Sequence, residues 1–137
     1  MSGHFFFADR YFGYDDAIYA ALRLLELLTN QSLSLSQLLK ALPTRHFTPE
    51  LRVDCPDEAK FQVIARLQDV LKDRGELNLL DGARVTFQDG SWALVRASNT
   101  GPVLVLRFEA PSAERLSEIR ADVESAVATA KRSVVGA

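Results

Sequence analysis

The stretch ARVTFQDGSWALVRASNTGPVLVLRFEA, residues 83–110, decides the fold because it contains three strand patterns in succession. Apolar residues alternate with polar ones up to Asp89-Gly90, a dipeptide that is typical of tight β-hairpins. Two apolar runs follow, at residues 92–95 and 103–109, and the loop Arg-Ala-Ser-Asn-Thr-Gly-Pro separates them. The stretch therefore predicts three consecutive antiparallel strands.

Further elements lie on both sides of this stretch. Residues 50–55 alternate between polar and apolar, which predicts a half-buried strand with Cys55 as a core residue. Pro56-Asp57 then opens one helix, and Pro111-Ser112 opens another. The apolar face of the first of these helices is predicted to contain Phe61, Ile64, Leu67 and Leu71. The order strand, helix, three strands, helix predicts an α+β fold, a four-stranded antiparallel sheet with helices on one face.

Residues 1–46 precede this pattern and differ from it. After the apolar run HFFF, interpreted as a strand, AIYAALRLLELL predicts a helix over residues 17–28 that Asp15 or Asp16 caps. A second helix begins at Ser34, which has capping-box spacing to a glutamine three residues later. Because the first helix is apolar around much of its circumference, we expect it to need cover on more than one side.

Composition and charge exclude several classes of protein. The chain has 16 basic and 18 acidic residues and a net charge of −2, so no overall field attracts nucleic acid or an anionic membrane. Its sequence contains no apolar run near the ~18 residues of a membrane span, and its first residues lack the basic region of a signal peptide. The single cysteine cannot form an internal disulfide, which favours a reducing compartment. We therefore expect a cytoplasmic protein with no nucleic-acid or membrane partner.

The loop at residues 96–102 carries more polar chemistry than a turn requires. Arg96 offers a planar fork of donors that matches phosphate oxygens. The Ser-Asn-Thr run adds short donors, and successive backbone N–H groups in a tight turn can form an anion-binding nest. A structural turn, in which these side chains satisfy their own backbone, explains the same residues. The residues alone leave both interpretations open.

Segments along the whole chain resemble the C-terminal part of the α-D-phosphohexomutases, in the phosphomannomutase/phosphoglucomutase group. RASNTGPVLVLRFEA resembles the signature of the family's C-terminal domain, and TPELRVDCPDEAKF and LDGARVTFQDGSWALV match that domain in order and spacing. SGHFFFADRYFGYDDAIYAALRLLELL resembles the family's sugar-recognition loop and the helix after it. The SNT form of the loop is more similar to the glucose/mannose group than to the glucosamine mutases.

The resemblance implies two domains and a set of site residues. Residues 1–46 would be the last part of a third, sugar-recognition domain, and residues 47–137 a complete C-terminal phosphate-binding domain. The implied ligands are glucose or mannose 1- and 6-phosphates, held by the phosphate that does not react. Substrate-phosphate binding is implied for Arg96, Ala97 through its backbone, Ser98, Asn99 and Thr100, and sugar binding for Ser2 and His4.

In this family a phosphoserine and a Mg²⁺-binding aspartate loop, both in other domains, carry out phosphoryl transfer. Neither a Ser-His-Asn-Pro segment nor an Asp-Gly-Asp loop occurs in the 137 residues. We therefore expect that this chain binds no cofactor or metal, that Mg²⁺ acts in the parent enzyme, and that the chain alone is inactive. Its partners would be hexose phosphates and the remaining domains of that enzyme.

Two other functions compete with this one. The chain would be a small α+β protein-interaction module without a catalytic role if its loop is only structural. A nucleic-acid binder that uses the open sheet face is a further alternative, but Glu50, Asp54 and Gln88 make that face mixed or acidic. Because residues 1–45 leave an apolar strand and helix without cover, we also expect self-association through this segment.

Overall fold

The computed structural model describes residues 3–136. The chain forms two compact units that divide between Pro43 and Thr44. The second unit contains the sheet, and the first contains two short helices.

One antiparallel sheet forms the second unit. Its strands are β1 His46–Phe47, β2 Leu51–Asp54, β3 Glu76–Asn78, β4 Ala83–Thr86, β5 Trp92–Ala97 and β6 Val103–Ala110. The spatial order is β1-β6-β5-β4-β3, and β2 also pairs with β6. β1 and β2 thus form one interrupted edge, and the interruption is bridged by Thr48, whose N–H donates to Phe108 O and whose Oγ1 accepts from Phe108 N.

Two helices, α3 Lys60–Leu71 and α4 Ala113–Val135, pack on the same face of the sheet as the alternating apolar residues of its strands. The fully buried side chains between the layers include Leu67, Leu71, Val85, Val95, Leu104, Leu106, Phe108, Ile119 and Val123. Cys55 also lies in this core, where burial raises the pKa of its thiol. The predicted core role of Cys55 is therefore confirmed.

The predicted apolar face of α3 is wrong at one position. Phe61 is 64% exposed, whereas Lys60 is only 7% exposed. At 100° per residue, Lys60 shares its side of the helix with Ile64 and Leu67, and Phe61 lies a quarter of a turn away. The buried face therefore begins at a lysine.

The α+β fold class with an antiparallel sheet and helices on one face is confirmed. The structure adds two strands of two and three residues, β1 and β3, to the four that the pattern predicts. β3 follows Gly75, whose position leaves no room for a Cβ against Thr86 O. The glycine thus allows the chain to turn closely from α3 into a pairing with β4.

The first unit contains α1 Ala17–Thr29 and α2 Leu35–Lys40. Asp16 caps α1 by accepting from Tyr19 N at 2.9 Å, and Ser34 N donates to Gln37 Oε1 at 2.8 Å at the start of α2. Neither helix has a buried residue. In place of the expected HFFF strand, the described residues show an isolated antiparallel bridge between Phe6 and Asp15, because the chain turns back after only a few residues. Between residues 3 and 136 no helix is both long and apolar enough to cross a membrane.

Candidate phosphate-binding site

The loop between β5 and β6 is held at its base by three backbone hydrogen bonds. Ser98 N donates to Val103 O at 3.0 Å, and Val103 N donates to Gly101 O at 2.9 Å, which closes a tight turn around Pro102. Cys55 N, at the end of β2, donates to Pro102 O at 2.8 Å. The loop is therefore attached both to the strand that follows it and to the neighbouring edge strand.

A buried lysine lies beneath the loop. Lys60 Nζ donates to Ser98 O at 2.6 Å and to Asp57 Oδ1 at 2.8 Å, and lies 3.5 Å from Gly101 O. Because the N–H and C=O of a trans peptide point in opposite directions, the N–H of Asn99 points away from the lysine. Among the hydrogen bonds of residues 3–136, none uses the N–H of Asn99 or of Gly101. The loop therefore has two unused backbone donors, and that of Asn99 points to its outer side.

The loop side chains divide into an inner and an outer group. Ser98 is only 7% exposed, and its Oγ accepts from Thr100 N at 3.2 Å. Asn99 and Thr100 are exposed at the tip. Ser98 thus has the local turn role that the structural interpretation expects. The Thr100 hydroxyl lies 3.4 Å from Ser98 Oγ and shares in that turn, while the Asn99 side chain is exposed.

Arg96 and Ala97 end the strand that leads into the loop. Arg96 lies on the open face of the sheet, and its Nε is 3.9 Å from Asp81 Oδ2. The Asp81 side chain is 74% exposed, so this long contact restrains the guanidinium only weakly. Ala97 pairs with Leu104 and is buried, so only its backbone can face a ligand.

The open face of the sheet is mixed in charge. The pairing register places four arginines on it, namely Arg52, Arg84, Arg96 and Arg107. Arg52 and Arg107 both contact Glu50, at 3.0 and 3.6 Å, and the Arg84 guanidinium lies 4.9 Å from the centroid of the Trp92 ring. Arg52, Arg84 and Arg107 thus have partners on the sheet face, so the four arginines do not form an unopposed basic stripe for nucleic acid.

The residues expected to bind sugar belong to the first unit. Ser2 lies outside the described residues. His4 is exposed, and its Nε2 is 3.7 Å from Asp15 Oδ2. The structure therefore brings together the five residues at positions 96–100 in one loop, while His4 belongs to the other unit.

Two residues of the site were missed by the sequence reasoning. Lys60 supports the loop from α3, and Asp81 approaches Arg96 from the turn before β4. Asp81 gives no local signal, because its contact with Arg96 arises only from strand pairing. Lys60 does give one: it is a charged residue at the spacing of the buried helix face.

A fit to Mg²⁺, the metal that the resemblance implies for the parent enzyme, can be tested on the side chains. Across residues 3–136 no group of three His, Cys, Asp or Glu side chains is arranged to hold a metal ion. The donors at and beside the loop are the Arg96 guanidinium, two unused N–H groups and the Asn99 amide, a set that suits an oxyanion.

Comparisons with known proteins agree on one family. Residues 50–126 match the sequence model of the phosphoglucomutase/phosphomannomutase C-terminal domain, and residues 1–46 match alpha/beta/alpha domain III of the same family. The phosphomannomutase/phosphoglucomutase of Pseudomonas putida is 51% identical over 122 residues, and the phosphoglucomutase of Neisseria gonorrhoeae is 46% identical over 123 residues. Each alignment covers 88% of this chain and 26% of the relative, so the chain spans about a quarter of their length.

A solved structure gives the same result for the fold. The crystal structure of a phosphoglucomutase/phosphomannomutase family protein from Burkholderia thailandensis matches with a TM-score of 0.78 and 42% identity. The match covers 96% of this chain and 27% of that one. Sequence, fold and loop thus lead to one conclusion: the chain belongs to the phosphoglucomutase/phosphomannomutase family.

Proposed function

We propose that residues 44–137 bind the non-reacting phosphate of the substrate in a phosphohexomutase that interconverts hexose 1-phosphate and hexose 6-phosphate of the glucose/mannose type. The observation that carries this proposal is a pair of backbone donors in the loop, the N–H groups of Asn99 and Gly101, which have no acceptor among the described residues. The adjacent Arg96 supplies a planar cation. Unpaired backbone donors beside a guanidinium suit a dianionic ligand.

Gly101 supports this assignment. Its φ is not in the left-handed region, and a Cβ at this position would have no heavy atom within 4 Å. Neither backbone conformation nor packing within the described chain therefore requires glycine. A glycine here leaves the N–H of the loop open to close approach by a phosphate oxygen.

The energetic role of the loop would be orientation. Each hydrogen bond to a charged phosphate contributes roughly 1.5–3 kcal/mol before the cost of association. An anchor on the distant phosphate restricts the substrate without contact with the reacting bond, so part of its binding energy is used for catalysis. The same anchor would serve both phosphosugars, because either phosphate of the hexose can occupy it.

The remaining chemistry belongs, in this proposal, to other parts of the parent enzyme. The phosphoserine and the Mg²⁺ loop lie there, and Ser2 and His4 contribute to sugar recognition. The 137-residue chain alone would then show no mutase turnover. We place the enzyme in the cytoplasm, a compartment in which a single buried thiol such as that of Cys55 stays reduced.

An NMR titration of the ¹⁵N-labelled chain with glucose 6-phosphate tests the proposal. We expect amide shifts at residues 96–101 and a dissociation constant around millimolar, about −4 kcal/mol, because one loop alone makes the contacts. Inorganic phosphate should shift the same amides, and glucose without phosphate should not. Shifts confined to other regions, or equal shifts with glucose, would rule out a phosphate-binding loop.

A second function, protein interaction, is favoured by the first unit. Its apolar side chains are exposed: Phe5 by 60%, Leu24 by 45% and Leu27 by 49%. With Phe7 they line an apolar groove along α1. We propose that a second copy of the chain covers this surface, since groups of large exposed apolar residues drive association.

A further inference from the structure

Lys60 is the one buried lysine among residues 3–136, and its side chain is 8% exposed. A buried ammonium is costly unless each of its protons has an acceptor. Here the acceptors are Asp57 Oδ1 at 2.8 Å, Ser98 O at 2.6 Å and, at a longer 3.5 Å, Gly101 O. Each of the three ammonium protons thus has an acceptor within the protein, and none is left for a ligand.

Little in α3 itself favours a lysine at this position: the one favourable contact is a distant one, 5.5 Å from Lys60 Nζ to the centroid of the exposed Phe61 ring. Lys60 is the first residue of the helix, where the macrodipole disfavours a positive charge. Its neighbours on the same helix face are the buried Val63, Ile64 and Leu67, beside which an apolar side chain would pack well. The contacts that the ammonium makes with the loop are therefore what distinguishes lysine from methionine or leucine here.

The loop contacts have a directional consequence. The hydrogen bond to Ser98 O fixes the plane of the peptide between Ser98 and Asn99. In a trans peptide this turns the N–H of Asn99 to the outer side of the loop. If Ser98 O were released, that peptide could rotate and present a carbonyl oxygen, which repels a phosphate, where the donor now lies.

We propose that Lys60 is a positioning residue of the phosphate loop: it holds Ser98 O inward so that the backbone donor of Asn99 faces the ligand. The role in binding rests on the proposed function of the loop. The role in loop conformation does not, since it concerns contacts within the chain. Lys60 also places a positive charge beneath the loop, which Asp57 balances from a side chain that is 63% exposed.

The test compares Lys60→Met with Lys72→Met in the ¹³C,¹⁵N-labelled 137-residue chain. Lys72 is exposed at the other end of α3 and controls for the loss of one charge. Without ligand, Lys60→Met should move the carbonyl ¹³C shift of Ser98 and the amide shift of Asn99, while the amides of Val95 and Leu106 stay in place. Titration with inorganic phosphate and glucose 6-phosphate should show affinity at least about tenfold weaker than in Lys72→Met, because a donor to a charged ligand is misdirected.

Each outcome bears on the inference. Wild-type phosphate affinity in Lys60→Met, or a loss equal to that in Lys72→Met, overturns the positioning role while the proposed function of the loop stands. If the unsubstituted chain binds no phosphate, the proposed function fails, and the ligand-free shifts alone decide whether Lys60 sets the loop. Unchanged Ser98 and Asn99 shifts in Lys60→Met then overturn the inference as well. Lys60→Gln, which keeps an amide NH₂ donor group without the charge, replaces Lys60→Met if the methionine variant does not fold, and should show an intermediate loss.

Discussion

The two units of the chain contain helices of similar apolar character, but only one unit has a core. In α3, Leu67 and Leu71 are fully buried under the sheet. In α1, Leu22 and Leu25 occupy the same kind of stripe and are 58% and 56% exposed. Helical periodicity therefore identifies the face that should be buried, while strands that pair over long sequence distances supply the cover.

The units also differ in what holds them together. In the first unit, charged side chains connect the N-terminal segment to α1, with Arg10 and Arg23 donating to Glu26 and Asp9 at 2.6 and 2.9 Å. Arg10, Glu26 and Asp9 are exposed and Arg23 is half-buried, and ion pairs at such surface positions stabilise weakly and are screened by salt. In the second unit, apolar burial between sheet and helices dominates. The same kind of substitution should therefore have different effects in the two units.

Two leucine-to-alanine substitutions, one in each unit, give the largest expected difference in the free energy of unfolding. Leu67→Ala should lower the free energy of unfolding of the second unit by about 2–5 kcal/mol, because it leaves a cavity in the core. Leu25→Ala, on the exposed stripe of α1, should change it by less than about 0.5 kcal/mol. Urea denaturation followed by the fluorescence of Trp92, the single tryptophan, reports on the second unit. Equal losses from the two substitutions would contradict the assignment of the core to the second unit.

The next largest expected effect concerns self-association of the chain through the first unit. If copies of the chain cover each other through residues 1–45, replacing Leu24 and Leu27 by Asp places unpaired charges in the interface. Each should cost more than ~2 kcal/mol and the two together more than ~4 kcal/mol, so the dissociation constant should rise at least about 700-fold. Sedimentation velocity of the unsubstituted chain and of the double variant measures this change. Leu80→Asp, at a leucine that is 94% exposed in the second unit, is the control and should leave association unchanged.

Two results would contradict self-association through the first unit. One is a monomer for the unsubstituted chain at concentrations up to the millimolar range. The other is a dimer that persists in the double variant, which would place the interface elsewhere.

The sequence predicted those elements whose signals are local. The strand alternation around Asp89-Gly90 and the helix cap at Ser112 are contained in short segments, and both appear in the structure. β1 has two residues, too few for any period, and it exists because His46 pairs with Ala110 far along the chain. Such pairing is a property of the folded chain, so no local pattern predicts it.

The same division applies to the candidate site. The loop residues at positions 96–100 are contiguous, so their combination of donors is visible in the sequence. Lys60 reaches Ser98 O across 38 residues, and the contact depends on how α3 packs under the sheet. Asp81 approaches Arg96 in the same indirect way. The loop residues proposed to bind a ligand are therefore visible in the sequence as one contiguous set. Asp81 is not visible in this way, and Lys60 is visible only as a charge on the buried face of α3.

Substitutions of Arg96 test whether the second unit, and not the first, contributes a cation to phosphate binding. Arg96→Ala should raise the dissociation constant for glucose 6-phosphate about 10-fold or more, since a charge-assisted hydrogen bond contributes roughly 1.5–3 kcal/mol. Arg96→Lys should lose less, because the charge remains while the planar fork is lost. Arg23→Ala removes a cation from the first unit and should have no effect. The measurement is the same NMR titration. An unchanged affinity in Arg96→Lys would show that the fork is not used, and equal losses for the alanine and lysine variants would show that the charge without the fork contributes nothing.

The smallest predicted effect concerns acid stability and again separates the units. The hydroxyl and N–H of Ser91, with the guanidinium of Arg115, lower the pKa of Asp89 to about 2. Because this pKa is lower in the folded chain than the ordinary 3.8, the carboxylate stabilises the fold above about pH 4, and the contribution is lost as the pH falls towards 2. The side chain is 37% exposed, so solvent screening reduces the contribution to about 1 kcal/mol.

Asp89→Asn should therefore lower the free energy of unfolding by about 1 kcal/mol at pH 7 and leave it unchanged near pH 2. Asp9→Asn is the matched control: Arg23 lowers the pKa of Asp9, but that pair lies in the exposed unit. Urea denaturation followed by Trp92 fluorescence measures the free energy of unfolding of the second unit between pH 7 and pH 2. As the pH falls, this free energy should decrease less in Asp89→Asn than in the unsubstituted chain, and as much in Asp9→Asn as in the unsubstituted chain. A similar change in both variants would mean that the second unit does not unfold independently of the first.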